Sequence, residues 1–424
     1  MVRSHYKGQD PLLALRPCLS KPRWHNLVLL VAAISVARCC ITWQLAVAVL
    51  LPVRLESCYQ RLKRLLGWPG LDLDRLLRAG VRWAVAHFAQ PGQRLVLLID
   101  WTLHTDRCRS LWVQLDIGCG RALPLAFFLA DNQFGGKGKQ RAFEDQALRQ
   151  LKDWLPAGWP VLLIGDRGFG GRGRMAFVAL LGWSFLFRIT GDGRWALAQR
   201  VRTRRGWRTK RCWRRVDAQP PLPGQRWFRE QVLYGRHHAI EVNLAAACLA
   251  VPGQGRDAVW YLATNLPAGE DVVALYALRM QIEQSFRDYK SCLGLEREYT
   301  RRPGRRLRWL LLAVLLAAGR ALGPGRPLPG PAQPAAAPGG PQPGPAAPAG
   351  PPAPAVPAKR YRVVSDFRRG WHEALAELVL EDSVVRQAVL AAAAKARRMQ
   401  QRPQVVNRRK ALPTKSRCRT RPAA

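Results

Sequence analysis

The chain has 424 residues, enough for about two or three domains and a sizeable hydrophobic core. Its 68 Lys and Arg against 28 Asp and Glu give a formal net charge of +40, which excludes an acidic, solvating chain and favours a polyanionic partner, above all nucleic acid. The hydrophobic share of 48% is ordinary for a globular protein, so most of the chain should fold.

Neither the cysteines nor the apolar segments indicate secretion or a membrane span. The 10 Cys form no CxxC pair and no Cys/His cluster with zinc spacing, so we expect reduced thiols in a cytoplasmic protein. Arg38 interrupts the apolar run 27–53, and Arg308 and Arg320 fall in the run 307–322. Both runs predict buried helices rather than a membrane-bound protein.

Residues 1–90 are predicted to form a helical region, because apolar residues recur at helical spacing between prolines. Residues 91–190 then alternate short apolar runs with amphipathic segments, which predicts the first part of an α/β core. We expect strands at 94–100, 110–117, 123–130, 160–165 and 184–190, and helices at 140–154 and 174–181.

A basic stretch with interleaved Trp interrupts this alternation at residues 191–257. Strand-like runs at 227–234 and 238–248 predict that it is an inserted, mostly β subdomain. Residues 258–322 return to the core pattern as its second part. We expect a strand at 258–264, a long amphipathic helix at 270–292 and an apolar helix at 307–322.

The composition changes again after the apolar helix. Residues 323–358 consist almost entirely of Pro, Ala and Gly, which cannot build a core and predict a linker. Residues 359–424 resume helical patterning and end in a basic tail, which we expect to be solvated and able to touch phosphates without sequence preference.

Two carboxylates are placed where α/β sheets build active sites. Asp100 ends one predicted apolar strand and Asp166 ends another. Asp is also favoured at helix N-caps and in turns, so either residue alone has that structural interpretation as well. Asp106, Asp116 and Asp131 are rival carboxylates, and Asp106 is the alternative to Asp100.

A third element adds a carboxylate among cations. Tyr276, Arg279, Glu283 and Lys290 share one face of the predicted helix, within an arc of about 60° at roughly 100° per residue. A solvated ladder of salt bridges would explain Glu283 between Arg and Lys. Tyr276 fits that explanation less well. It favours a surface that offers a carboxylate to a metal ion while cations and a phenol hold phosphates.

These residues resemble the Y-(2)-R-(3)-E-(6)-K signature of bacterial insertion-sequence transposases, in the DDE branch called family four. The flanking segments are similar as well: LLIDWT around Asp100, LLIGDRGF around Asp166, WYLATNL before the helix and FRDYKSCLGLE across its end. The resemblance covers about residues 90–320, and VVSDFRRGW at 363–371 is similar to the downstream segment.

The resemblance implies a ribonuclease-H-like mixed sheet with helices on both faces, interrupted by a β-rich insertion and flanked by helical N-terminal and C-terminal regions. It implies that Asp100, Asp166 and Glu283 are the catalytic residues and hold two Mg²⁺ ions, or Mn²⁺, per active site. Tyr276, Arg279 and Lys290 would then contact the DNA end.

The basic insertion is predicted to bind DNA, with Arg and Lys along the backbone and a Trp stacked on an unpaired base. The alternative is that its Trp side chains only pack the small β subdomain. The candidate residues are Arg204, Arg205, Trp207, Arg208, Lys210, Arg211 and Trp213.

The implied function is a DNA transposase that cleaves strands at the ends of an insertion sequence and transfers them into target DNA. We expect double-stranded DNA as partner, a homodimer in the synaptic complex and a bacterial, nucleoid-associated location. The alternative is a catalytically inactive DNA-binding remnant. Two departures from the family favour it: Trp101 stands where relatives commonly carry a second acid, and residues 323–358 replace folded structure.

Overall fold

The architecture is that of a computed structural model. The segments predicted as linker and C-terminal region, 323–358 and 359–424, lie outside the residues that it describes. The described residues are 10–49, 53–105, 108–118, 120–132, 134–136, 138–203, 206–249, 259–267, 270–295 and 304–322.

Five helices precede the sheet, as the periodicity of residues 1–90 predicts. They are α1 (Pro11–Leu15), α2 (Lys21–Ala37), α3 (Thr42–Ala48), α4 (Leu55–Gly67) and α5 (Leu73–Phe88). Five more follow: α6 (Lys139–Trp154), α7 (Arg172–Leu180), α8 (Val272–Ala277), α9 (Met280–Arg287) and α10 (Arg305–Ala321).

The first five strands form the centre of one large mixed sheet. Their spatial order is β3-β2-β1-β4-β5, with β2 antiparallel to β1 and β3, and with β4 and β5 parallel to β1. This order and these directions are those of the ribonuclease-H-like arrangement, so the predicted fold class is confirmed. The strands are β1 (Leu95–Thr105), β2 (Cys108–Asp116), β3 (Ala122–Asp131), β4 (Val161–Gly165) and β5 (Ser184–Arg188).

The insertion is rich in β structure, as predicted, but its long strands do not form a separate sheet. Strand β12, from the second part of the core, pairs with β5, and the insertion strands continue the sheet beyond it in the order β11-β10-β6-β9, which gives ten strands among the described residues. Of the described strands, β7 and β8 alone stand apart, as a two-stranded hairpin. These strands are β6 (Arg194–Ala196), β7 (Ala198–Thr203), β8 (Gly206–Arg211), β9 (Arg214–Arg215), β10 (Arg226–Tyr234), β11 (Ile240–Cys248) and β12 (Val259–Thr264).

Alternating side chains bury both faces of the central strands. Leu98, Leu162 and Leu186 point to one face, where they pack in the same cluster as residues of α8 and α9. Their neighbours Leu97 and Leu163 point to the other face and join a larger core with α5, α6, α7 and α10. The parallel strands are therefore covered on both sides, which explains their continuous apolar sequences.

The N-terminal helices are part of this core. Helix α10 packs against α2, α4 and β3, and α5 packs against β3 and α6. Arg320 near the end of α10 forms an ion pair with Asp10 at the start of the described chain. Among the described helices, none is long and apolar enough by itself to cross a membrane. Helices α2 and α3 reach that length and composition only together, across a 92° bend.

A close backbone contact joins the N-terminal helices to the end of the segment 270–292. Gly294 has a φ of +67°, and a Cβ on it would lie 2.2 Å from the carbonyl oxygen of Arg38. Beside it, the Cys40 thiol lies 3.6 Å from the carbonyl oxygen of Leu293 and donates a hydrogen bond to it. The contact fixes the N-terminal helices against the part of the chain that carries Glu283.

We expect Gly294→Ala to destabilise the fold more than Gly224→Ala. Both glycines have a left-handed backbone, which costs about 1–2 kcal/mol for any other residue. A Cβ on Gly224 meets nothing within 4 Å, so this variant shows the backbone strain alone. Urea unfolding should give a free energy of unfolding that is at least about 1 kcal/mol lower for Gly294→Ala than for Gly224→Ala. Equal losses would contradict the docking of the N-terminal helices.

Candidate active site

Asp100 and Asp166 meet at one edge of the sheet. Strand β4 ends at Gly165, which pairs with Ile99 of β1, so the next residue on each strand is an aspartate. Contrary to the prediction, Asp100 does not end its strand. Strand β1 continues to Thr105 because β2 pairs with it along that length.

Asp166 also serves as a helix cap. It precedes a short 3₁₀ turn, Arg167–Phe169, and its Oδ1 accepts a hydrogen bond of 2.9 Å from the backbone N–H of Gly168. The alternative prediction that Asp166 serves as a helix N-cap is therefore confirmed. It is compatible with an active-site role, since the cap fixes the carboxylate at the strand end.

The rival carboxylates lie elsewhere or outside the described residues. Asp116 pairs next to the start of β1, roughly four residues or 13 Å from Asp100. Asp131 pairs with Cys108, at the far end of the β1–β2 hairpin. Asp106 lies outside the described residues.

The predicted long helix 270–292 is broken into three pieces. Helix α8 ends at Ala277, α9 begins at Met280, and a π-helical turn spans Asp288–Cys292. At the first break the backbone N–H groups of Gln281 and Ile282 bond three residues back, which tightens the turn relative to an α-helix. The regular spacing assumed from the sequence therefore does not hold along the whole segment.

Tyr276 does not lie on an exposed helix face, contrary to the sequence prediction. Its side chain is only 3% exposed, and its ring packs edge-on against Trp260 at 4.9 Å between centroids. Burial raises the pKa of the phenol, while the charges of Arg279 and Arg188 oppose the shift. As the structure stands, Tyr276 faces its own protein rather than solvent, and its hydroxyl interacts with Arg279.

Arg279 connects two of the predicted catalytic residues. Its Nη1 lies 3.3 Å from Oδ2 of Asp100, and its Nη2 donates to Oε1 of Glu283 one helical turn away. Burial disfavours its charge, but Tyr276 and the carboxylates outweigh burial and raise the pKa of Arg279. The predicted DNA-contacting arginine thus binds the predicted metal ligands.

The pKa of Asp100 responds to the charges of Asp166 and Glu283. Burial is the main cause that raises the pKa of Asp100 to about 6. Arg279 and the backbone N–H of Trp101 lower this pKa, whereas the negative charges of Asp166 and Glu283 raise it. Residues from β1, from the end of β4 and from α9 therefore act on one another at a single place.

The donor types at this place suit a hard divalent cation, because carboxylate oxygens are the ligands that Mg²⁺ and Mn²⁺ prefer. The site is not preassembled for a metal, however. Within the described part of the chain, no three His, Cys, Asp or Glu side chains are close enough together to hold an ion. Arg279 is the cation that balances Asp100 and Glu283 in this structure.

Lys290 lies on the π-helical turn and is half-buried. Its positive charge acts on His104 of β1, and together with burial it lowers the pKa of that imidazole to about 4. His104 lies 2.6 Å from the hydroxyl of Ser110, a partner for its neutral ring. Lys290 therefore lies beside β1, on the side of the sheet that carries Asp100.

The basic insertion residues lie apart from this centre. Trp207, Arg208 and Lys210 fall in β8 of the separate hairpin, where Trp207 pairs with Arg202 of β7. Arg211 ends β8 and is exposed, and Trp213 after it is half-buried. The two remaining candidates, Arg204 and Arg205, lie outside the described residues.

Sequence analysis missed a network that fixes β1 at the active site. The indole N–H of Trp101 donates to Glu144 of α6 at 2.8 Å, and Glu144 also forms a buried ion pair with Arg174 of α7. The ring lies beside Phe143, with the guanidinium of Arg109 4.4 Å from its centre. Trp101, read from the sequence as a departure from the family, thus has a structural role on the opposite face from Asp100.

Comparison with known proteins agrees with the predicted function. Residues 125–318 match the family model described as "Transposase DDE domain". The matched range contains Asp166 and Glu283 and begins after Asp100. The match supports a DNA transposase, an enzyme of the DDE type, and such transposases generally use divalent metal ions.

No curated protein matches the sequence. Among solved structures, the cryo-EM structure of a piggyBac transposase synaptic complex with hairpin DNA superposes with a TM-score of 0.41 at 9% sequence identity. The superposition covers 92% of this chain and 74% of that one. So loose a similarity adds nothing to the fold, which rests on the strand order above.

We expect Asp100→Asn to stabilise the fold above pH 6. The pKa of Asp100 is raised from 3.8 to about 6, so above that pH the folded chain carries a buried charge that the amide lacks. One pKa unit corresponds to about 1.4 kcal/mol, so the gain is on the order of 2–3 kcal/mol. It should fade as the pH falls from about 6 toward about 4, because the carboxyl of the folded chain is then neutral and that of the unfolded chain is about half protonated.

Urea unfolding between pH 4 and 8 measures this difference, with the exposed Asp153→Asn on α6 as the control. A variant that is less stable than the wild type at pH 8 would mean that ion pairing outweighs the burial of Asp100.

Proposed function

We propose that this protein is a transposase of insertion-sequence family four, which cleaves DNA at the ends of its element and transfers the freed 3′ ends into target DNA. One observation carries the proposal. Asp100, Asp166 and Glu283 are far apart in the sequence, yet Asp166 follows the strand residue that pairs next to Asp100, Arg279 pairs with both Asp100 and Glu283, and the charges of Asp166 and Glu283 raise the pKa of Asp100. Residue types and strand positions both suit phosphodiester chemistry.

Asp100, Asp166 and Glu283 are the residues that would hold the divalent ions, Mg²⁺ or Mn²⁺, two per active site. Such ions activate the attacking oxygen and neutralise the charge on the leaving oxygen. The protein holds the carboxylates in position. Strand pairing fixes Asp100, and the bond from the Gly168 N–H fixes Asp166.

Arg279 supports this arrangement by compensating negative charge. The three carboxylates, which are partly buried, repel one another, and the ion pairs of Arg279 with Asp100 and Glu283 reduce that repulsion. We infer that Tyr276 acts on DNA indirectly, through its interaction with Arg279, because its own side chain is buried. Lys290 remains the candidate for a direct phosphate contact.

The partner of the proposed transposase is double-stranded DNA, which agrees with the net charge of +40. Joining two element ends requires that both be held at once, so the active form would be a homodimer on DNA in the bacterial cytoplasm. The basic hairpin β7–β8 would add contacts to the backbone. The helices α2 to α5 are the candidates for recognition of the terminal repeat.

A catalytically inactive DNA-binding remnant is the second candidate. It is favoured by the ion pairs of Arg279, which engage two of the three carboxylates, and by the lack of a preassembled metal cluster among the described residues. The two candidates share DNA binding and differ in cleavage. The assay below separates them.

We expect Glu283→Gln to abolish metal-dependent cleavage of DNA that carries the sequences flanking the gene. The amide keeps the size of the side chain but removes the charge that would bind a cation. Even the outer-shell partners of metal sites typically account for 10–100-fold of activity, so the loss should exceed about 100-fold. Gel analysis of end-labelled DNA with Mg²⁺, with Mn²⁺ and with a chelator gives the rates.

Glu241→Gln, an exposed change on β11, is the matched control and should cleave like the wild type. Both variants should bind the DNA as the wild type does. Wild-type protein that binds the DNA but never cleaves it supports the remnant, and cleavage that survives in Glu283→Gln would exclude this triad.

A further inference from the structure

A cavity of about 470 Å³ is lined by the loop that follows Asp166, from Arg167 to Arg172, which leads to α7. The turn 234–237 between β10 and β11 also lines it, together with Thr190, Gly193 and Arg194. Its volume falls in the range of about 300–1,000 Å³ that is usual for ligand sites.

The walls of this cavity are strongly basic. Arg167, Arg172, Arg194 and Arg236 line it together with His237, and none of the described lining residues is acidic. The start of α7 at Arg172 adds the positive end of a helix dipole. The ligand that suits such a lining is an anion.

Arg172 is held in a fixed position in this wall. Gly235 has a φ of +89°, and a Cβ there would lie 1.9 Å from Cδ of Arg172, so the arginine side chain crosses the glycine in direct contact. Nη1 of Arg172 is buried and has no hydrogen-bond partner among the described residues. A buried guanidinium N–H without an acceptor is costly, and an anion in the cavity would supply one.

Glycine leaves part of the loop after Asp166 open to a ligand. The loop after Asp166 contains Gly168, Gly170 and Gly171, and a Cβ on Gly171 would meet nothing within 4 Å. Gly171 is the N-cap of α7 and makes no side-chain capping bond. Backbone N–H groups at such a position are exposed to an approaching phosphate.

The geometry points to a binding site for a backbone phosphate of the DNA strand that enters the active site, next to the phosphodiester cleaved at Asp100, Asp166 and Glu283. This rests on the proposed function, since it assigns the cavity to the same substrate. The loop that carries Asp166 is also the wall of the cavity, so the two sites are neighbours. The aromatic residue in the lining is Tyr234, whose hydroxyl lies against Gly193, so the lining favours a phosphate over a base.

The sharpest test compares Gly171→Asp with Gly171→Asn. The two side chains are nearly the same size, both are good N-caps, and neither should clash, so both variants should fold at least as well as the wild type. They differ by one negative charge at the cavity. Gln146→Glu adds the same charge on the exposed face of α6 and controls for net charge.

The readout is fluorescence anisotropy of a labelled duplex of random sequence in the presence of a chelator, from 50 to 300 mM salt. We expect Gly171→Asp to bind several-fold more weakly than Gly171→Asn at the lowest salt. The slope of log affinity against log salt should be shallower by about 1, the value for one lost phosphate contact. Gly171→Asn and Gln146→Glu should match the wild type.

The double variant Arg194→Gln/Arg236→Gln gives an independent second test and should reduce the salt slope in the same way. The double variant Arg149→Gln/Lys152→Gln on α6 removes the same charge elsewhere and is the control.

Inorganic phosphate as competitor distinguishes the source of the anion. The contrary result is that phosphate protects the wild type against thermal unfolding but not Gly171→Asp, while DNA binding is the same in both. This result would assign the cavity to a free anion and overturn the proposal.

Equal DNA binding by Gly171→Asp and Gly171→Asn would overturn it as well. These outcomes are independent of catalysis, because DNA binding is measured in the presence of a chelator. A wild type that fails to cleave DNA but shows the expected salt slopes would refute the proposed activity and leave the phosphate site in place.

Discussion

Three partly buried carboxylates at the ends of neighbouring strands and on α9 repel one another, and each prefers water to the protein interior. The rise in the pKa of Asp100 to about 6 expresses both effects. Arg279 is the described side chain that pairs with two of these groups at once, and it does so from within the interior, with 14% of its side chain exposed. The candidate active site is therefore a balance of partly buried charges that a bound divalent cation would shift further.

The fold meets this constraint with rigid elements rather than loops. Strands β1 and β4 are parallel neighbours, which brings Asp100 and Asp166 side by side, and the hydrophobic face beneath α8 and α9 places Glu283 above them. On the other face, the Trp101–Glu144 bond ties β1 to α6. The contact between Arg38 and Gly294 braces the end of the segment that carries Glu283.

Most elements were predictable from the sequence because their periodicity is strong. The apolar runs that end near Asp100 and Asp166 became β1 and β4, and the paired runs of the insertion became β10 and β11. Regular helical spacing could not predict the tight turn before α9, because that turn depends on tertiary contacts. The burial of Tyr276 against Trp260 likewise needs a partner that is distant in the sequence. The joining of the insertion to the central sheet depends on the pairing of β12 with β5, which no local pattern specifies.

We propose that Asp100, Asp166 and Glu283 form one cation-binding centre. The direct test is anomalous diffraction from crystals of the protein grown with Mn²⁺ and DNA. We expect an anomalous peak coordinated by Asp100, Asp166 and Glu283, with the Arg279 side chain moved away from Asp100. Manganese bound elsewhere, with Arg279 still paired to both Asp100 and Glu283, would contradict it.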